Sequence, residues 1–143
     1  MKVKVKYRTI DDAPAENKRS LFTRDWLYRA GFDTEFASIG DEFIVYGIYL
    51  SEGNLWYNLA KPPRGSAVIM VLAALFEISD PTISQHWECR VDGSGDFAIW
   101  PRSWFEIPFY HDRLSDGDPE VVEDWQKVKR LFDDENSRKT AAC

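Results

Sequence analysis

The sequence has few of the side chains that metal and catalytic centres use most, with two histidines and two cysteines among 143 residues. Two cysteines are too few for the disulfide framework of a small secreted domain. The longest apolar run, residues 67–76, is ten residues long and too short to span a bilayer. The first ten residues, MKVKVKYRTI, lack the apolar stretch of a signal peptide. We therefore expect a cytoplasmic protein that does not bind a membrane.

Positive charge is also in short supply. The chain has 18 basic and 24 acidic residues, which gives a net charge of −6. Residues 106–135 hold ten acidic and four basic residues, an excess that equals the net charge of the whole chain. An acidic surface repels phosphate, so nucleic acid and anionic lipid are excluded as expected partners, whereas a basic protein is favoured.

The scarce residues meet in one stretch, SQHWECR, where His86 precedes Cys89 by three positions. Side chains alternate between the two faces of a strand, so this odd spacing places the pair on opposite faces. Zinc needs three or four ligands, and the chain offers few others. We expect no metal site here, and we expect Cys89 to lie buried on one face with Trp87 and Val91.

The following residues, DGSGD, form a turn rather than a binding loop. They lack the ligand pattern of an EF-hand and the Gly-Lys-Ser/Thr of a phosphate-binding loop. Cys89 with His111, or Ser103 or Ser115 with a histidine, could be imagined as nucleophile pairs, but no local signature supports them. The sequence therefore predicts no enzyme, no catalytic residue, no metal and no cofactor.

The clearest strand signal lies at residues 41–60, where two β-branched and aromatic runs flank a short Gly-containing loop. This pattern predicts a hairpin with strands at 43–50 and 55–60, and Gly47 indicates a bulge or sharp bend in the first strand. Alternation predicts a strand within 2–10. A strand is expected at 67–78, in which residues 68–73 could instead form a helical turn. Two more strands are expected at 85–91 and 96–100. Residues 102–110 are expected to be irregular.

Two helices are predicted. A Pro at the first turn and a Gly stop indicate one at residues 14–29. The other, at 119–133, begins with Asp118-Pro119-Glu120 and carries an apolar stripe at i, i+4, i+7 and i+11, with Glu123 and Lys127 spaced as an ion pair. The stripe consists of Val121, Trp125, Val128 and Phe132.

These elements predict an α+β fold: a strongly bent antiparallel sheet, of which an SH3-like half-barrel is one form, with an N-terminal helix and a packed C-terminal helix. We expect one domain over residues 1–135 and a disordered tail over residues 136–143.

Aromatic side chains lie just before the acidic residues of the C-terminal part. In one interpretation these aromatics cover the sheet while the acids face water. In the other, acids and aromatic anchors form a surface that captures a basic protein. The residues expected to bind a partner in the second interpretation are Trp104, Tyr110, Asp112, Asp116, Asp118, Glu120, Glu123 and Asp124.

Several segments resemble small bacterial immunity proteins of polymorphic and contact-dependent growth inhibition toxin systems. They are SIGDEFIVYGI (38–48), LWY (55–57), ALFEISD (74–80), ISQHW (83–87), FY (109–110), LSDGD (114–118) and EVVE (120–123). The resemblance implies a protein that binds the C-terminal domain of a cognate toxin, such as a basic nuclease, and occludes its active site. It transfers no binding residues. The alternative is a non-catalytic regulatory module that binds a ligand or a peptide.

Overall fold

A computed structural model describes residues 1–18, 33–51, 53–91 and 95–141. It confirms the α+β class: seven strands form a mostly antiparallel sheet, which the described strands leave open, beside a long C-terminal helix. The strands are β1 (Lys2–Val5), β2 (Glu42–Ser51), β3 (Asn54–Ala60), β4 (Val68–Leu72), β5 (Phe76–Asp80), β6 (Trp87–Val91) and β7 (Phe97–Pro101). The helices are α1 (Ala15–Lys18), α2 (Arg102–Glu106), α3 (Tyr110–Ser115) and α4 (Pro119–Ala141).

The long strand β2 organises the sheet. Along one edge it pairs with β3, as the predicted hairpin requires. Along the other edge its first half pairs with β1 and its second half with β7. The strand order is β4-β3-β2-β1-β5, and β6 extends the second branch by pairing with β7. The register shifts between Val45 and Gly47, which confirms the predicted irregularity at Gly47.

Apolar side chains form two clusters on opposite faces of the sheet. Neighbouring residues of β2 show the alternation, since Val45 belongs to one cluster and Tyr46 to the other. The first cluster is built mainly from strands. The second lies between the sheet and helices α2–α4, and it contains the whole predicted stripe of α4, whose four side chains are at most 6% exposed.

The strand predicted at 67–78 is two strands. A short 3-10 turn at Ala73–Leu75 separates β4 from β5, and the Leu75 side chain in this turn is fully buried. The backbone carbonyl of Leu75 accepts hydrogen bonds from the amides of Lys6 and Tyr7. This turn lets the chain cross from one edge of the sheet to the other, which an unbroken strand could not do.

The helices differ from expectation in extent. Only Ala15–Lys18 of the helix predicted at 14–29 is described, and residues 19–29 lie outside the described part. Residues 102–110, expected to be irregular, contain α2 and the start of α3. Helix α4 continues to Ala141, so the boundary expected at residue 135 falls inside the helix, where Asn136 is 3% exposed.

Candidate functional site

Two of the predicted partner-binding residues lie in the core. Trp104 on α2 and Tyr110 on α3 are each 3% exposed and belong to the cluster beneath α4. Their rings contact each other, with centroids 5.5 Å apart, and Trp104 also contacts the ring of Trp125. They therefore join the short helices to α4 and offer no surface to a partner, as in the first interpretation of the aromatic segment.

Phe109, which connects α2 to α3, is the exposed aromatic residue of this segment. Its side chain is 79% exposed, and its backbone is left-handed with φ +55°. Among the described residues other than glycine, it is alone in having a positive φ. A bulky side chain in this conformation is uncommon and costs conformational energy. The sequence placed Phe109 among four aromatics but gave no signal to separate it from its buried neighbours.

The acids Asp118 and Glu120 are both held by one guanidinium. Arg113 Nε donates to Asp118 Oδ2 at 2.9 Å, and Arg113 Nη2 donates to Glu120 Oε2 at 2.8 Å. The other carboxylate oxygen of Asp118 accepts the backbone amide of Glu120 at 3.1 Å. Arg113 holds the pKa of the Asp118 carboxyl below its usual value. This network caps α4 and neutralises part of the predicted acidic surface.

Glu123 and Asp124 also have partners within the chain. Glu123 forms the predicted ion pair with Lys127 at 2.8 Å, and this pair lowers the pKa of the Glu123 carboxyl. Asp124 Oδ2 accepts a hydrogen bond from the Tyr110 hydroxyl at 2.8 Å. Burial and the neighbouring carboxylate raise the pKa of Tyr110, so the phenol keeps its proton and donates. Asp124 therefore anchors α3 to α4.

Asp112 and Asp116 remain as acids without an ion pair in the described part of the chain. Both are exposed. Asp112 lies in α3, and Asp116, four residues later, is its C-cap with helical backbone angles, which places the two on the same side of this helix. Phe109 lies three residues before Asp112. We call Phe109, Asp112 and Asp116 the Phe109 surface. The structure thus leaves one aromatic and two acids of this region available to a partner.

His111 lies between these residues but points into the protein. Its ring makes edge-on contacts with Trp100, Trp104 and Tyr110, at centroid distances of 5.5, 4.7 and 5.7 Å. Neither ring nitrogen has a hydrogen-bond partner among the described residues. Burial lowers the pKa of the imidazole, and the carboxylate of Asp112 opposes this effect only in part. His111 is therefore a half-buried residue whose surroundings favour the neutral imidazole, and no described base or nucleophile is bonded to it.

Cys89 differs from the prediction, because its side chain is exposed rather than buried. It lies in the middle of β6, which pairs only with β7 among the described strands, and three of the five residues of β6 are exposed. His86 precedes β6 in a turn and packs on the ring of Phe132, 5.6 Å away. In the part of the chain that the structure describes, no three His, Cys, Asp or Glu side chains are grouped as metal ligands.

Two open clefts flank helix α4. One, of about 380 Å³, lies between β2, the loop after β3 and α4; we call it the Arg64 cleft. It contains Arg64, which makes no ion pair with any described residue, and the linked groups of Tyr46, Lys129 and Asp133. The other, of about 330 Å³, lies between α2 and α4 and is lined mainly by apolar atoms, including those of Leu131.

Across the residues that can be described, no helix is both long and apolar enough to cross a membrane. Comparison of the chain with protein-family models, with curated proteins and with solved structures found no match in any of the three.

Proposed function

We propose that this protein is an immunity protein, which binds a cognate toxin domain and neutralises it by covering its active site. The observation that carries the proposal is the Phe109 surface. There a large apolar side chain, 79% exposed, is held on a left-handed turn next to two exposed acids that form no ion pair with a described residue. The resemblance of several segments to immunity proteins of toxin systems points to the same kind of partner.

The aromatic side chain supplies the affinity in this proposal. Full burial of a Phe side chain contributes roughly 1.5–3 kcal/mol. Within the chain itself Phe109 gains little of this energy, although its backbone conformation has a cost. A partner that covers the ring would recover it. Because the buried neighbour Tyr110 holds the turn, the backbone at Phe109 needs little ordering when the partner binds.

The acids determine which partner approaches. Asp112 and Asp116 leave two negative charges beside Phe109, in a chain whose net charge is −6. A basic surface, such as the substrate cleft of a nuclease, would be attracted at long range and would bind with its cations beside these carboxylates. A chain seated in that cleft blocks the substrate phosphates. Neutralisation by occlusion requires no catalytic group of this protein.

The test is binding to the C-terminal toxin domain encoded next to this gene. We expect a complex of nanomolar affinity or tighter, as about −12 kcal/mol of binding energy implies. Phe109→Ala should weaken it by at least about 10-fold. Ile83→Ala is the matched control, since Ile83 is a similarly exposed apolar residue at 73% and lies outside the Phe109 surface.

The charges are tested separately from the ring. Asp112→Lys with Asp116→Lys should slow association and reduce its dependence on salt, because the attraction acts before contact. Folding of each variant is checked by circular dichroism. If the purified domains form no complex, the protein is not the immunity protein of that toxin. If Phe109→Ala and Ile83→Ala bind equally well, a different surface makes the contact.

The Arg64 cleft favours a second candidate, a non-catalytic ligand-binding module. Its volume of about 380 Å³ falls in the range of small-molecule sites. The cleft also contains two carboxylates, but Glu42 pairs with Lys2 and Asp133 with Lys129, whereas Arg64 has no ion pair with a described residue. Ile44, Ala60 and Pro62 supply apolar lining, so we infer a small apolar carboxylate bound by Arg64. Saturation-transfer NMR with phenylacetate tests this candidate. Signal that is lost in Arg64→Ala supports it, and no signal with the unaltered protein eliminates phenylacetate-like ligands.

A further inference from the structure

We infer that β6 is a self-association edge, at which a second copy of this chain pairs antiparallel with the first, centred on Cys89. The inference concerns a surface separate from the Phe109 surface and does not depend on the proposed toxin. It rests on the outer edge of β6, which pairs with no described strand, and on the order of the side chains along β6.

The outer edge of β6 faces no described strand. The strand pairs with β7 on one side, and no other described strand pairs with it. Cys89, Arg90 and Val91 are exposed, and Val91 is 70% exposed although it is apolar. A strand edge that no other strand covers is a template for another strand, and the exposed Val91 side chain adds apolar surface beside the charges of Glu88 and Arg90.

The side chains of β6 are complementary to themselves. In an antiparallel pair centred on Cys89, Glu88 of each copy lies opposite Arg90 of the other, on one face of the sheet. On the other face, Trp87 lies opposite Val91 of the second copy. Opposite charges and apolar pairs at directly facing positions both stabilise a sheet. Such a pairing has two-fold symmetry, so both copies use the same residues and each β6 edge is occupied by the other copy.

Neighbouring registers are unfavourable. Centring the pair on Glu88 places that carboxylate opposite its own copy, and centring it on Arg90 places two guanidiniums opposite each other. If the pair were centred between two residues, each side chain would face one that points to the other side of the sheet. A continuous sheet does not allow this, because directly facing residues share a face. The charge order therefore selects the register centred on Cys89.

The two charges are already held at the edge. Arg90 Nη2 lies 3.1 Å from Glu88 Oε2, and the Arg90 guanidinium lies 4.5 Å from the ring centroid of Phe105. Arg102 Nε lies 3.4 Å from the other oxygen of Glu88. These contacts limit the side-chain freedom that pairing would remove. In the dimer, Glu88 and Arg90 of both copies form a ring of four alternating charges.

The other sheet edges lack this pattern. The charged residues of β5 are Glu77 and Asp80, both acidic, so pairing with a second copy offers no opposite charges. Strand β4 has no charged residue, and its last two residues, Val71 and Leu72, are buried. Charge complementarity and exposure therefore coincide only at β6 among the described edges.

The position of Cys89 provides the test. Facing residues of an antiparallel pair have Cα atoms about 4.5 or 5.5 Å apart, and both distances suit a disulfide. In a Cys143→Ser background, where Cys89 is the remaining thiol, mild oxidation with diamide should yield a covalent dimer that dithiothreitol reverses. A control protein with Ile83→Cys, Cys89→Ser and Cys143→Ser reports the rate for an exposed thiol that meets others only by collision. The Cys89 protein should cross-link at least about 10-fold faster than this control, since pairing holds the thiols together.

Exchanging the charges of β6 distinguishes cross-linking within a paired dimer from cross-linking by random collision. Arg90→Glu should reduce the cross-linking rate by about 10-fold, because it places Glu opposite Glu. Glu88→Arg together with Arg90→Glu restores opposite charges and should return the rate to within about 3-fold of the starting protein. Sedimentation velocity on Cys89→Ser, Cys143→Ser protein should show a dimer that forms with rising concentration. Equal cross-linking rates in the charge variants and the Ile83→Cys control, or a monomer at every concentration, would overturn the inference.

Discussion

Gly47 shows what a single missing side chain permits in this fold. It lies in the middle of β2, where the register with β3 shifts. A Cβ atom at this position would lie 2.7 Å from Cδ1 of Trp100 and 2.9 Å from Cζ3 of Trp104. Glycine therefore lets two large rings approach the strand. The Trp100 indole also donates to Asn58 Oδ1 across the sheet at 3.1 Å, an interaction that needs this close approach.

We predict that Gly47→Ala lowers the free energy of unfolding by about 1–3 kcal/mol, the range for inserting a methyl group into a packed core. Urea unfolding followed by tryptophan fluorescence measures the change. If crowding against Trp100 is the cause, the same substitution should be less harmful in a Trp100→Phe background. An unchanged unfolding midpoint for Gly47→Ala would contradict the close packing at this position.

His111 makes stability depend on pH. Burial holds the pKa of its imidazole below 6.5, so the unfolded chain binds this proton at a higher pH than the folded chain does. The contribution of neutral His111 is complete above pH 6.5 and is lost as the pH falls towards its folded pKa. Asp112 contributes the opposing charge, and the other contacts of the ring are the aromatic groups of Trp100, Trp104 and Tyr110.

We therefore predict that the free energy of unfolding falls between pH 7.5 and pH 5.5, and that His111→Phe reduces this slope. A difference of one pKa unit between the folded and unfolded states corresponds to about 1.4 kcal/mol. Urea unfolding at several pH values measures both proteins. Identical slopes would show that His111 is not responsible.

At the scale of elements, the junction between α3 and α4 is fixed by complementary terminal contacts. Gly117, with φ +77°, ends α3, and its amide donates to the Leu114 carbonyl at 3.1 Å. One residue later, Asp118 caps α4 and binds Arg113 of α3. Asp118, one of the acids of this region, thus helps to fix the orientation of α3 relative to α4.

We predict that Asp118→Ala lowers Tm by roughly 2–5 °C, because it removes a helix cap and an ion pair together. Asp116→Ala is the matched control, since Asp116 is exposed and has no ion pair with a described residue, and it should leave Tm unchanged. Because Arg113 lowers the pKa of Asp118, the difference between the two variants should be present above pH 3.8 and should shrink as the pH falls below that value. Equal Tm values for the two variants would contradict the capping role.

At the scale of the whole molecule, the sequence predicts what local patterns determine. The β2–β3 hairpin follows from alternation and a glycine turn, and the inward face of α4 follows from the spacing of Val121, Trp125, Val128 and Phe132. The register shift at Gly47 follows from a glycine within a strand. In each case neighbours along the chain supply the information, so no distant contact is needed.

The remaining features depend on contacts between distant residues. Pairing of β7 with the second half of β2 joins residues about fifty positions apart, and no local pattern indicates it. The contacts of the predicted partner-binding residues also depend on distant parts of the chain. Burial of Trp104 and Tyr110, but not of Phe109, follows from how α2 and α3 pack under α4. The partners of Asp118, Glu120 and Asp124 could likewise be seen only after those helices were placed.

The ring cluster beneath α4 has an optical consequence. Trp104 lies 6.1 Å from Trp100 and 6.1 Å from Trp125, so indoles from β7, α2 and α4 meet in one place. Chromophores at this spacing couple electronically, and the sign and intensity of their circular dichroism depend on the angles between the rings. The circular dichroism of these indoles is therefore an intrinsic signal that reports how the helices are oriented on the sheet. Any event that tilts these helices, including the binding of a partner at α3, would be recorded in this signal without a dye.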